Sequence, residues 1–382
     1  MLSCRTTIYS VLTAVVLLLT AGAVLSHAQG ARDPGGAADR ILALDPRWTV
    51  VFDTRPVAPA GFDQEAAYVP LEGSRLIAID LEGGQVRWQI DLATSVTPAT
   101  GDGMVFASQD GHVIALDQRS GATLWRTPLP GALAGPIYWD SGWVLASTDG
   151  GELVALRAED GHALWRSPLG SALAVRPSPS GERLYVALAD GRLAALNLNT
   201  GVSDWTLALD QEVTGMLALG EQLLVGTRAN VLHSITLDRG RIRWTQRAGA
   251  DVIGAPAADD TLIYFVAFDN VLRALNRSNG NLRWTRNLPS RPSGGAQRAD
   301  DIVLVPFSTA DIGAYLAATG APAFTIRAAG ELGGAPFLRD NARATATRLV
   351  AISREGNLQG FAARFEQPPA PLTDLPGARV GG

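Results

Sequence analysis

Lysine is missing from this chain: all 32 of its basic residues are arginine. That absence excludes a Schiff-base lysine, a phosphate-loop lysine and a kinase-type lysine in one step. Cysteine is nearly missing too, with Cys4 alone. It lies ahead of an apolar run from Val11 to Leu25, which follows Arg5 and ends at the small-residue stretch Ser26-His27-Ala28. This order predicts an export signal over residues 1–28, cleaved to leave a chain with no thiol, no disulfide and no acyl anchor. The run is short for a membrane span, which needs about 20 apolar residues. Histidine is scarce, with only His112, His162 and His233 after residue 28, each in a different segment, so no clustered metal or nucleophile site is expected. The net charge is −5 and no basic tract stands out, which excludes nucleic acid as a partner. No Gly-x-Ser-x-Gly elbow of a serine hydrolase occurs.

What the chain does contain is a repeat. The segments GQVRW, GATLW, GHALW, GVSDW, GRIRW and GNLRW pair Gly84 with Trp88, Gly121 with Trp125, Gly161 with Trp165, Gly201 with Trp205, Gly240 with Trp244, and Gly280 with Trp284. GAPAF adds the degenerate pair Gly320 and Phe324. Counting Trp48, the aromatic positions are spaced 40, 37, 40, 40, 39, 40 and 40 residues apart, the length of one four-stranded propeller blade.

Within each repeat, strand-length apolar runs are cut by turn residues. Asp110-Gly111, Asp149-Gly150 and Asp190-Gly191 predict tight two-residue hairpins, because both positions tolerate positive φ. Neighbouring strands in sequence make antiparallel sheets, so the fold class is all-β. Trp48 has no glycine turn and no preceding strands, and reads as an orphan outer strand. The segment 348–362 reads as a hairpin lacking its outer strand, with an inner strand near Gly334 to Leu338. Joining these two parts closes an eight-bladed ring over residues 41–365 and removes open sheet edges. Residues 29–40 read as a flexible linker and 366–382 as a Pro-rich disordered tail.

The pattern in VIALDQRSGATLW (113–125) and LRALNRSNGNLRW (272–284), an apolar strand, a Gly turn and then Trp, resembles the pyrroloquinoline-quinone-type propeller repeat family. In size, blade number and export signal the chain is similar to its BamB branch, the propeller subunits of the outer-membrane β-barrel assembly machinery. The resemblance implies that each outer-strand tryptophan docks on the glycine turn of a neighbouring blade. It also implies a non-catalytic scaffold in the periplasm or outside the cell, monomeric by itself and bound to a protein partner of the BamA type. The alternative is an oxidoreductase or sensor holding pyrroloquinoline quinone and calcium. For such a dehydrogenase the resemblance implies an adjacent cysteine pair, which the chain after residue 28 does not contain. Asp259-Asp260 and Asp300-Asp301 read as solvated turn residues. The expectation is therefore no catalytic residue, no metal and no cofactor.

For partner binding the resemblance selects Leu173-Ala174-Val175-Arg176, similar to a Leu-x-Leu-Arg contact run, together with Asp210 and Glu212 in the next loop. Arg176 is unusual in its own context, since the matching stretches TSVTPA, GALAGP, DVIGAP and ELGGAP carry small or turn residues. Tyr138-Trp139 with Trp143 is the one aromatic cluster outside the repeat positions, and Trp139 joins the candidates as an interface aromatic.

Overall fold

A computed structural model describes residues 44–339 and 346–363. The expected export signal, linker and Pro-rich tail lie outside the described residues. The described residues form eight four-stranded antiparallel sheets, the blades of a β-propeller. Blades 1 to 7 span 61–91, 99–128, 138–168, 178–208, 213–247, 252–287 and 297–327 in order, each a consecutive meander. Blade 8 takes three strands from 337–363 and its outer strand, Leu44–Val51, from the other end of the chain. The expected closure is thus observed, with the inner strand at Phe337–Leu338.

The core is a ring rather than a centre. Eight apolar clusters each join two consecutive blades, such as Tyr68, Leu76 and Val105 between blades 1 and 2. Val350 and Leu358 of blade 8 meet Ala67 and Val69 of blade 1 in the cluster that closes the circle.

The repeat motif has a physical explanation at every position. In Ala115-Leu116-Asp117 the alanine lies opposite Trp125 on the next strand, the leucine is buried, and the Asp117 carboxylate accepts from the amides of Arg119 and Ser120. The residue facing each outer-strand aromatic is small in all eight blades: alanine in six, Ser234 in blade 5 and Gly360 in blade 8. A bulge at the residue before each aromatic, from Arg47 in blade 8 to Ala323 in blade 7, shifts the register there. Such a bulge re-aims the following side chain, and here the ring swings onto the next blade.

There it meets the turn glycine. Trp48, Trp88, Trp125, Trp165, Trp205, Trp244 and Trp284 lie on Gly84, Gly121, Gly161, Gly201, Gly240, Gly280 and Gly320, where an added Cβ would come within 2.4–2.9 Å of ring atoms. These glycines also have φ between 61° and 74°, so two independent constraints select glycine. Six of the seven indoles donate Nε1–H to a backbone carbonyl of that blade, as Trp125 does to Ala158 at 2.8 Å. The rings of Trp88 and Trp165 are buried and the others half-buried.

One turn expectation needs correcting. Asp110 and Gly111 both have positive φ, 49° and 71°, as a two-residue turn requires. At 148–151 and 188–191 only the final glycine is left-handed, Gly151 at 73° and Gly191 at 85°. Gly191 N donates to Leu188 O at 3.0 Å and Leu188 N to Arg192 O at 2.8 Å. These are one-residue-longer turns ending in a glycine bulge, which also match the strand twist.

Candidate partner-binding face

Chain direction sorts the loops onto two faces of the ring. Crossovers between blades share one face with the hairpins that join second and third strands. The backbone bonds Leu129 N to Gly111 O (2.9 Å), Leu169 N to Gly151 O (2.9 Å) and Leu209 N to Gly191 O (3.1 Å) tie each crossover to its hairpin. The candidate segments 173–176 and 210–212 are consecutive crossovers, so both lie on this face. The hairpin 188–192 stands between them and touches both: Ala189 N donates to Ala172 O at 2.9 Å and Arg192 Nη2 to Leu169 O at 2.7 Å on one side, and Gly191 O accepts from Leu209 N at 3.1 Å on the other. The structure therefore brings the two candidate segments onto one continuous surface.

Their side chains differ in role. Leu173 is half-buried and bridges Leu188. Leu133, Pro292 and Leu332 make the same bridge in other blades, so this position serves the fold as well as any partner. Val175 packs against the apolar cluster between blades 4 and 5. Arg176 is exposed, and among the described residues no carboxylate lies within 4.0 Å of it. Asp210 is exposed with φ 53°. Glu212 pairs with Arg228 at 3.1 Å, and both are more than half exposed, so the pair contributes about 1 kcal/mol or less. Between them Gln211 turns inward, its Oε1 accepting from Thr227 Oγ1 at 3.0 Å and lying 3.2 Å from His233 Nε2.

Trp139 is not a freely projecting anchor. Its indole covers Gly101 of blade 2, where a Cβ would fall 2.0 Å from the ring, and its Nε1 is buried without an acceptor among the described residues. Trp143 packs on Trp165 with centroids 6.3 Å apart.

Trp139 and Arg176 do, however, line the same cavity, about 520 Å³, between the innermost strands of blades 8 and 1 to 4. Phe62 and Phe337 stack in its wall at 4.8 Å and 8°. Burial pushes the Tyr138 phenol up to about 12, with the Arg176 charge pulling the other way. Sequence reasoning missed Phe62, Phe337 and Asp140, which come from distant repeats and meet only once the ring is closed. Calcium needs roughly six to eight oxygen ligands, whereas this lining offers one carboxylate, Asp140. Among the described residues no three of His, Cys, Asp or Glu gather elsewhere as a metal set. The residues here do not fit a calcium-held quinone.

The family model described as outer membrane protein assembly factor BamB matches residues 37–127, 109–222 and 212–323, which together cover most of the chain. The chain belongs to the BamB family. The Escherichia coli K12 BamB is 25% identical over 229 residues, 56% of this chain and 48% of that protein. The Alkalilimnicola ehrlichii BamB is 30% identical over 135 residues, 35% of either chain. The matched stretches span less than half the length of these BamB relatives. The crystal structure of BamB from Moraxella catarrhalis superposes with a TM-score of 0.67 at 18% identity, covering 84% of this chain and 99% of that one. A quinohemoprotein alcohol dehydrogenase from Pseudomonas putida reaches 0.69 at 13% identity, covering 87% and 78%. At such identities both likenesses speak for the fold alone. Among the described residues no helix is long and apolar enough to cross a membrane.

Proposed function

We propose that this BamB-family propeller is a non-catalytic scaffold that works in the periplasm, after loss of residues 1–28 and without a cofactor, in the assembly of outer-membrane β-barrel proteins. Its partner in this reading is a BamA-type barrel subunit. The contact is the crossover face, with Arg176 at its centre and Leu173, Val175, Asp210 and Glu212 around it.

The observation that carries the reading is the exposed, carboxylate-free Arg176 on a surface where the hairpin 188–192 fixes both candidate crossovers. A rigid surface loses little conformational entropy on binding, and a guanidinium without an internal partner is available to an external one. Family membership supports the assembly role.

The test is affinity capture from envelope extract with the tagged full-length chain, read by detection of the barrel subunit. Capture by the parent chain and its loss in Arg176→Glu is the expected result. Absence of the barrel subunit from the parent capture removes the assignment.

A further inference from the structure

The funnel between the innermost strands is lopsided. In blades 5 and 6 these strands run for seven residues, Val213–Leu219 and Val252–Ala258, against two or three in the other blades. Gly215 lies so close to Gly254 and Ala255 that an added Cβ would come within 2.2 Å of their backbone, and one on Gly254 would come within 2.6 Å of Gly295 N. Blades 5 to 7 thus shut their side backbone to backbone. The opposite side keeps the 520 Å³ cavity. Its lining runs from just before the innermost strands, at Thr97, Pro136 and Arg176, to their last residues, Phe62 and Asp140, so it extends down the funnel wall from the crossover side toward the hairpins that join first and second strands.

The bulky residues there are not demanded by the blade. The register of Tyr138, opposite the second strand, is held by Ala99 in blade 2, Ser178 in blade 4 and Ala257 in blade 6. The register of Phe62 and Trp139 is held by Thr100 and Pro179. Two residues before the strand, where blade 4 has Arg176, other blades have Thr97, Pro136 and Gly295. Aromatic walls and a cation are therefore concentrated in one arc of a ring that folds without them elsewhere. A concave apolar pocket with a few convergent polar groups is the usual form of a binding site.

We infer that this pocket receives a protein loop that inserts one large apolar side chain beside a carboxylate. The inference rests on the scaffold reading for its biological partner, though not for its chemistry. Phe62, Phe337 and Tyr138 give flat apolar walls for the inserted side chain, as buried anchors at interfaces require. Arg176, exposed and without a carboxylate within 4.0 Å among the described residues, offers a planar fork for the neighbouring acid. Asp140 in the same lining disfavours a second acid at close range and can accept from backbone N–H. The cavity admits a side chain and its neighbours, not a folded domain.

The probe is a blocked dipeptide, acetyl-Phe-Glu-amide, titrated into the full-length chain labelled with fluorotryptophan and followed by fluorine NMR. The chain has nine tryptophans, and Trp139→Phe assigns the signal from the pocket. A saturable shift of that signal is expected. Acetyl-Ala-Glu-amide and acetyl-Phe-Gln-amide are expected to bind at least about tenfold more weakly, a difference of about 1.4 kcal/mol. Arg176→Gln, an exposed change, and Tyr138→Ser, which installs the residue that blade 4 carries at this register, are expected to abolish the shift while thermal unfolding stays cooperative. No shift, an equal response to the alanine or glutamine peptide, or persistence in both variants overturns the inference. Because no barrel subunit is present, failed capture from extract with intact peptide binding removes only the scaffold assignment.

Discussion

Trp48 lies on Gly84 and donates its Nε1–H to Leu81 O and Thr347 Oγ1, each at 3.1 Å, so that one indole joins the N-terminal strand, blade 1 and blade 8. No other described tryptophan ties three parts of the chain that distant in sequence. Trp48→Ala is therefore expected to cost about 3 kcal/mol, the lower range for truncating a buried aromatic because this ring is half-buried. It should also lower cooperativity, since blade 8 loses its latch. Trp284→Ala removes an equivalent ring between consecutive blades and should cost a similar amount with cooperativity kept. Urea unfolding followed by tryptophan fluorescence and by circular dichroism checks both, and coincident transitions in Trp48→Ala would contradict the latch role.

Glycine offers a cleaner separation of strain from contact. Gly111 and Gly201 have nearly the same φ, 71° and 69°, but an added Cβ meets nothing within 4 Å at Gly111 and the Trp165 ring at 2.4 Å at Gly201. Gly111→Ala should cost about 1–2 kcal/mol, the conformational penalty alone. Gly201→Ala must in addition displace the indole and its 2.8 Å bond to Leu198 O, and is expected to cost at least about twice as much. Equal costs would mean that the glycine is there for its turn only.

The fold was legible because its signal is local and repeated. The spacing of Gly and Trp, the turn residues between strand-length runs and the two incomplete end repeats point to eight closed blades, since every blade solves the same packing problem with the same residues. The pocket was not legible. Phe62 and Phe337 are ordinary apolar residues in sequence, Tyr138 stands out there only as part of an aromatic cluster, and the excess of Tyr138 over Ala99, Ser178 and Ala257 at one register shows only after strand pairing is known. Arg176 stood out beforehand for the converse reason, as a cation where neighbouring repeats are small. The turn class at Asp149 and Asp190 was misjudged because Asp-Gly suits both turn lengths, and loop length is set by pairing across the hairpin.

Two titrations should shape acid stability. His233 is buried, and burial alone holds its pKa below the ordinary 6.5. The unfolded chain then binds the proton more readily, so stability is complete above about pH 6.5 and declines as pH falls below it. Asp259 behaves differently: burial pushes its pKa up, but the Tyr264 hydroxyl and the amides of Leu262 and Thr261 outweigh this and bring it to about 2. Its contribution is present above the ordinary 3.8 and is lost as pH falls from there toward about 2. His233→Gln should flatten the dependence as pH falls below the ordinary 6.5, and Tyr264→Phe should flatten it only below about pH 4. Denaturant midpoints across this range decide the matter, and an unchanged upper slope in His233→Gln would assign it to another group.

Blade 5 departs from the repeat in a way that predicts non-additivity. Ser234 replaces the usual alanine opposite the outer tryptophan, and its hydroxyl donates to Gln222 Oε1 at 2.7 Å. Gln222, 4% exposed, donates in turn to Arg277 O at 3.1 Å. By analogy with the other blades that carbonyl is where Trp244 Nε1–H would donate, and among the described residues this is a docked indole whose Nε1 is buried without an acceptor. Ser234→Ala alone strands the Gln222 carbonyl oxygen in the core and should cost about 1–3 kcal/mol. Adding Gln222→Leu removes the stranded group, restores the apolar pattern of Leu262 and Ile302 at the same register, and frees the Arg277 carbonyl for Trp244. The double variant is thus expected to be more stable than Ser234→Ala, with a coupling of about 1 kcal/mol or more. Costs that simply add would show that Trp244 does not take the vacated acceptor and that the network contributes no more than its separate bonds.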